Sequence, residues 1–112
     1  MERPQPEASD DRTGVLVTHI TIDRNEAANR YELKLDGELG GYAEYRTSPG
    51  RITFTHTVVF PEHEGKGLGS RIAKHVLDEA VARGDVIVPR CPFISAYLRR
   101  HPGVYDDSVS WP

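Results

Sequence analysis

One cysteine, Cys91, is all the thiol that this 112-residue sequence offers, so no disulfide can close within the chain and the fold must be held by its core. Long apolar runs are missing as well. No stretch approaches the roughly 18 apolar residues of a membrane-spanning helix, and Met1 to Gly14 is polar and acidic with nothing resembling a signal peptide. A soluble, cytoplasmic protein is the expectation. Charge of one sign is also lacking: 14 Lys and Arg against 17 Asp and Glu give a net charge of −3. That balance, without long clusters, excludes a basic nucleic-acid groove and an anionic-membrane surface. Finally, the length excludes a second active-site domain and allows one core.

What is present reads as β first and α later. Residues 1–13 carry two prolines and acidic or polar side chains with almost no apolar ones, the composition of a disordered tail. The single domain is expected over 14–112. Val15, Val17, Ile20 and Ile22 recur at near two-residue spacing, which predicts a first strand over Val15 to Ile22, bulged near Thr18-His19. Tyr31, Leu33 and Leu35 alternate with Glu32 and Lys34 up to Asp36-Gly37, a hairpin signal. The return strand runs from Glu38 to Arg46, weakened at Gly40-Gly41, and Ser48-Pro49-Gly50 makes the next turn. Arg51 to Phe60 follows, with Ile52, Phe54, His56 and Val58 expected on one face and Thr53, Thr55, Thr57 and Val59 on the other. Pro61 ends it.

The period then changes. Leu68, Ile72, Ala73, Val76, Leu77 and Ala80 form one helical stripe, and Gly84 is the stop signal. Val86-Ile87-Val88 reads as a short buried strand interrupted at Pro89, which implies a parallel crossover. Pro92 opens a second helix with an apolar face of Phe93, Ile94, Tyr97 and Leu98, closed by Arg99-Arg100-His101 and Pro102. Gly103 to Pro112 has no legible period.

Between the last long strand and the first helix stands Glu64-Gly65-Lys66-Gly67-Leu68-Gly69. A glycine loop at a helix N-terminus exposes backbone N–H groups that suit phosphate, and Lys66 adds charge. The spacing is neither a Walker loop nor G-x-G-x-x-G. Taken alone, the loop is equally well a plain strand-to-helix connection.

With its flanks, however, this segment resembles motif A of the GNAT acetyltransferase superfamily, and the small single-domain CG-type branch in particular. The resemblance rests on Phe54-Thr-His-Thr-Val-Val-Phe-Pro-Glu62, on Gly65-Lys-Gly-Leu-Gly69, and on Ile87-Val-Pro-Arg-Cys-Pro-Phe93 with Tyr97 and His101-Pro102, and it spans roughly residues 14 to 107. It implies an α+β fold: a GNAT-like mixed sheet of antiparallel N-terminal strands, with a parallel strand-helix-strand unit splayed around the site. It also implies acetyl-CoA as co-substrate, its pantetheine arm between Val58–Phe60 (Val58, Val59 and Phe60) and Val86–Val88. The diphosphate would lie on Glu64, Gly65, Lys66, Gly67, Leu68, Gly69, Ser70 and Arg71, and the thioester near Cys91 and His56, with Tyr97 along the arm. Three positions depart from the superfamily pattern. Glu64 stands where an Arg or Gln is usual, Cys91 where many members carry Asn, and Leu98 aligns with the usual acid tyrosine, beside Tyr97.

Cys91 falls where a strand meets a helix opening with Pro92, and such an N-terminus favours a nucleophilic thiol. It reads as an acyl acceptor, as the acid for the departing CoA thiolate, or as a small buried residue. His56 reads as a base or as a core histidine, and Tyr97 as a cofactor contact or as core. His56, His63 and Cys91 lack the close spacing of a zinc site. The activity expected is acetyl transfer to an amine, with a non-catalytic acetyl-CoA or CoA module or sensor as the alternative. Neither acceptor nor oligomeric state is legible.

Overall fold

The computed structural model describes residues 19–112. The expected tail, and Val15 and Val17 of the expected first strand, lie outside these residues. The described chain makes five strands in sequential order, β1 Ile20–Asn25, β2 Arg30–Leu35, β3 Glu38–Ser48, β4 Arg51–Val59 and β5 Val86–Pro89. Two helices follow the meander: α1, Leu68–Arg83, lies between β4 and β5, and α2, Pro92–Arg100, comes after β5. The first four strands pair antiparallel, and β5 joins β4 in parallel. This is the mixed α+β sheet expected from the order of the periods.

Tyr31, Leu33, Leu35, Ala43, Tyr45, Ile52 and Phe54 meet the buried stripe of α1 (Leu68, Ile72, Ala73, Val76, Leu77 and Ala80) in one core, which Ile94, Tyr97 and Leu98 of α2 complete. Each of the Leu, Ile, Val and Phe side chains among them contributes about 1.5–3 kcal/mol when fully withdrawn from water. Gly84 closes α1 as its stop signal implied, its amide donating to the carbonyls of Ala80 and Val81.

Three boundaries differ from the sequence expectation. β1 runs on through Asp23, Arg24 and Asn25, because these polar residues pair with Glu32, Tyr31 and Arg30 and the Arg24 guanidinium lies over the Tyr45 ring at 4.7 Å. β3 reaches Ser48, and β4 stops one residue before Phe60. The C-terminal segment is also ordered into the core. Tyr105 is buried and its hydroxyl donates to Asp78 Oδ1 at 2.6 Å, while the Ser110 amide donates to the Ile87 carbonyl at 2.8 Å and covers the outer edge of β5.

The most consequential difference lies inside β4. Tyr45 pairs with Phe54 but Glu44 pairs with His56, so Thr55 is an extra residue, a β-bulge. A bulge shifts the alternation by one. Ile52 and Phe54 face the helices; beyond Thr55 it is Thr57 and Val59 that do so, and His56 and Val58 turn to the opposite face. The expected common face of Phe54, His56 and Val58 is therefore corrected.

Candidate active site

The same point in β4 is where β5 leaves it. The parallel register runs from Arg51 with Val86 to Phe54 with Pro89, and there it ends: the Phe54 carbonyl accepts from both the Arg90 amide (3.1 Å) and the Cys91 amide (2.9 Å). Pro89 has no N–H to give the ladder, and Pro92 already sets the first turn of α2. The chain thus turns away while β4 continues for five more residues, Thr55 to Val59, with β3 on one edge and, among the described residues, no strand on the other. An opening between two parallel strands follows directly.

On the helix side this opening widens into a cleft of about 350 Å³, lined by Thr57 and Val59 of β4, by His63, Glu64, Gly65 and Gly67 of the loop, by Leu68, Gly69 and Ser70 of α1, and by Phe93 of α2. The glycines have separate tasks. Gly65 and Gly67 hold φ of +84° and +74°, with nothing within 4 Å of where a Cβ would stand. Their backbone conformation, rather than crowding, demands glycine. Gly69 is helical, and a Cβ there would come within 2.7 Å of the Phe93 ring, so its role is close packing of α2 on α1. Gly67 caps α1 with no side-chain hydrogen bond, and the first amide turned back into the helix is that of Arg71, onto the Gly67 carbonyl at 3.2 Å. Among the described residues, the amides of Leu68, Gly69 and Ser70 have no partner, which leaves a set of donors at the positive end of a 16-residue helix. This is a cradle that fits a diphosphate.

Cys91 is 2% exposed, and its thiol donates to Thr57 Oγ1 at 3.3 Å. It therefore lies behind the cleft wall, with Thr57 between it and the opening. His56 is on the other face of β4, its side chain 70% exposed, with Nδ1 3.2 Å from Glu44 Oε1. The bulge thus parts the two residues that the resemblance had put at one thioester. Of the remaining expected contacts, Lys66 is exposed on the loop. Val58 faces away with His56, and Phe60 packs edge-on to Tyr42 at 6.3 Å. Arg71 lies outside the cleft, in a groove on the flank of α1 with Ile20, Ile22 and Lys74. Tyr97 is buried, stacked on His101 at 4.1 Å, and does not line the cleft.

Thr57, His63 and Phe93, which line the cleft, and Glu44, which pairs with His56, are not among the cofactor-binding or catalytic residues expected from the sequence. Glu44 could be found only through its register with His56, and Phe93 only through its contact with Gly69. The groups whose titration is displaced stand elsewhere. Burial, then the hydrogen bond to Glu79 at 2.6 Å, holds the Tyr31 hydroxyl protonated far above the ordinary tyrosine range, and burial with Asp78 does the same for Tyr105. At Asp78, partial desolvation opposes ionisation, but hydrogen bonds from Lys74 and Tyr105 outweigh it and set the carboxyl below its usual range. These are supports of the core. Among the described residues, no three His, Cys, Asp or Glu side chains converge as metal ligands, and no helix is long and apolar enough to cross a membrane.

A family model described as GCN5-related N-acetyl-transferase matches residues 30–108, the stretch that holds the splayed strands, the loop and both helices. The chain belongs to this N-acetyltransferase family. Its acetyltransferase fold is shared with a GCN5-like protein of Staphylococcus aureus solved by NMR, at TM-score 0.63 and 23% identity over 82% of this chain and 89% of that one. A ribosomal-protein-alanine N-acetyltransferase from Brucella melitensis biovar Abortus aligns over 78% of this chain and 66% of its own, at 21% identity and TM-score 0.49. No curated protein sequence matches. As a member of the family, the chain is an acetyltransferase-class enzyme.

Proposed function

We propose that this acetyltransferase uses acetyl-CoA in the cleft beside the glycine loop and transfers its acetyl group to an amine that approaches from the opposite, uncovered face of the sheet. The observation that supports this most directly is the parting of β4 from β5 at Phe54, next to a helix end whose amides lack partners. Bound acetyl-CoA supplies an activated acetyl thioester. The open amides of Leu68, Gly69 and Ser70, with Gly65 and Gly67, hold the diphosphate, and Lys66 adds positive charge beside it. Glu64 is exposed at the cleft rim and offers no positive charge, so Lys66 and the neutral backbone donors carry the anion. The unpaired edge of Thr57 to Val59 offers N–H and C=O groups to the pantetheine amides, as a strand edge does to an added strand.

The two sides of the slot then have separate proton tasks. His56, held at Nδ1 by Glu44, keeps Nε2 free to take a proton from the acceptor ammonium. Thr57 Oγ1 accepts from the Cys91 thiol, which leaves its own hydroxyl proton to point into the cleft toward a departing thiolate, with Cys91 behind it as the resupply. Cys91 is thus a positioning residue, and Tyr97 a packing one. The working unit is a single domain over 14–112, acting in the cytoplasm.

The first test is calorimetric titration with CoA and acetyl-CoA, followed by detection of thiol release across a panel of small amines, polyamines and peptide N-termini. Saturable binding and acceptor-dependent thiol release support the reading. Absence of any complex at millimolar ligand ends it. Intact-mass analysis after acetyl-CoA alone separates the routes through Cys91, since a stable acetyl adduct on wild type that is missing from Cys91→Ser would replace the positioning role with a covalent one.

A further inference from the structure

Within the cleft, one side chain has no task in the account above. His63 ends the 3-10 turn Pro61–His63, between the last residue of β4 and the glycine loop, and it lines the cleft beside Glu64, Gly65 and Gly67. Its Cδ2 edge lies 3.4 Å from the Cβ position of Gly40, the extra residue of the bulge between β2 and β3. Nδ1 is the one buried side-chain nitrogen or oxygen without a hydrogen-bond partner among the described residues. A ring held in this way has a defined tautomer. Either tautomer leaves Nδ1 without a partner, but an orphaned buried N–H is tolerated less than a bare acceptor, so the neutral ring carries its proton on Nε2, where the open cleft can receive it. With Nδ1 and Cδ2 against protein, Nε2 is the nitrogen left at the cleft.

We infer that His63 is a ligand-binding residue: a neutral imidazole whose Nε2–H donates to a diphosphate oxygen of CoA seated on the loop. This rests on the cofactor reading above and adds to it a partly buried side-chain donor, where Lys66 of the loop is exposed. The loop's own charges, Glu64 and Lys66, are both exposed and of opposite sign. A fixed, uncharged N–H beside the glycine amides therefore discriminates for an anion where the net side-chain charge does not.

The test compares wild type, His63→Gln and His63→Leu by calorimetric titration with CoA, with nitrogen-15 spectra of the imidazole recorded before and after ligand. Gln places an amide N–H near the position of Nε2, whereas Leu fills the space without a donor. The expected result is an Nε2–H tautomer in the free protein, a ligand-dependent shift of that nitrogen, roughly tenfold or greater weakening in His63→Leu, and recovery to within a few-fold in His63→Gln. Equal affinity of wild type and His63→Leu would overturn this inference while leaving the CoA site intact. A Gln variant as weak as Leu, or an Nδ1–H tautomer, would assign His63 to packing. No CoA binding by wild type would remove the cofactor reading and this one together.

Discussion

The two halves of β4 are alike in composition and opposite in environment. Arg51 to Phe54 is a central strand, paired with β3 on one side and β5 on the other, with Ile52 and Phe54 fully buried under α1. Thr57 to Val59 has β3 on one side and a cleft on the other. A single extra residue, Thr55, and a single proline, Pro89, separate the two. The closed half is paired on both edges and carries buried core side chains. The open half leaves groups unsatisfied, and it does so beside the loop, where a ligand's amides and phosphates can take them. On the proposed reading, stability and function lie on one strand.

If this division holds, substitutions on the open half should cost activity without stability, and those on the closed half the reverse. On the proposed reading the largest effect is expected at His56→Gln, where kcat/KM should fall by roughly 10²–10⁴-fold with the melting temperature nearly unchanged, because the side chain is exposed and its pair with Glu44 lies at the surface. Steady-state kinetics and a thermal melt on the same sample check both parts; a fall in melting temperature would blur the division. Leu77→Ala, in α1, is the counterpart in the core to which Ile52 and Phe54 of the closed half belong. Leu77 is fully buried, so its truncation should lower unfolding free energy by about 2–5 kcal/mol in a denaturant titration. CoA affinity measured well below the melting temperature should hardly change.

Gly69 sits on the boundary and should move both readouts. Gly69→Val forces a Cβ into the Phe93 ring, and overpacking of this kind costs about 1–3 kcal/mol. The shift of α2 that relieves it should also weaken CoA binding. Adding Phe93→Ala should restore stability in part, and a double variant no more stable than the single would show that the contact is not the cause.

The smallest effect concerns alkali. Tyr31 and Tyr105 ionise at higher pH in the folded chain than the ordinary value of 10.0, through burial first and then their carboxylate partners Glu79 and Asp78. Above about pH 10 the unfolded chain loses these protons while the folded chain keeps them, so stability that is fully present below this pH declines as pH rises. The expected slope is at most about 1.4 kcal/mol per pH unit for each tyrosine. Tyr31→Phe should flatten the decline in melting temperature on this limb, and an unchanged slope would remove Tyr31 from the account.

Much of this architecture can be read from local pattern. The two-residue period of Tyr31, Leu33 and Leu35, the turn at Asp36-Gly37, the helical stripe of α1 and its glycine stop all reappear where periodicity put them. The loop and its glycines were also legible, because phosphate-accepting loops have their own spacing and composition. His56 was placed on the wrong face for a definite reason: alternation assumes an unbroken ladder, and the bulge at Thr55 depends on the register of β3, which no local pattern in β4 records. The same limit hid Glu44 as the partner of His56, Phe93 as the reason for Gly69, and the burial of Tyr105 in a segment with no period of its own.

By itself, then, the sequence determined the elements, their order, the glycine loop and the family pattern that links them, since these follow from side-chain period and turn chemistry within a few residues. Tertiary structure alone decided which face His56 takes, that Thr57 stands in front of Cys91, and that Tyr97 packs away from the cleft. Those outcomes depend on pairing between residues distant in the chain, where one unpaired residue or one missing N–H changes which groups meet.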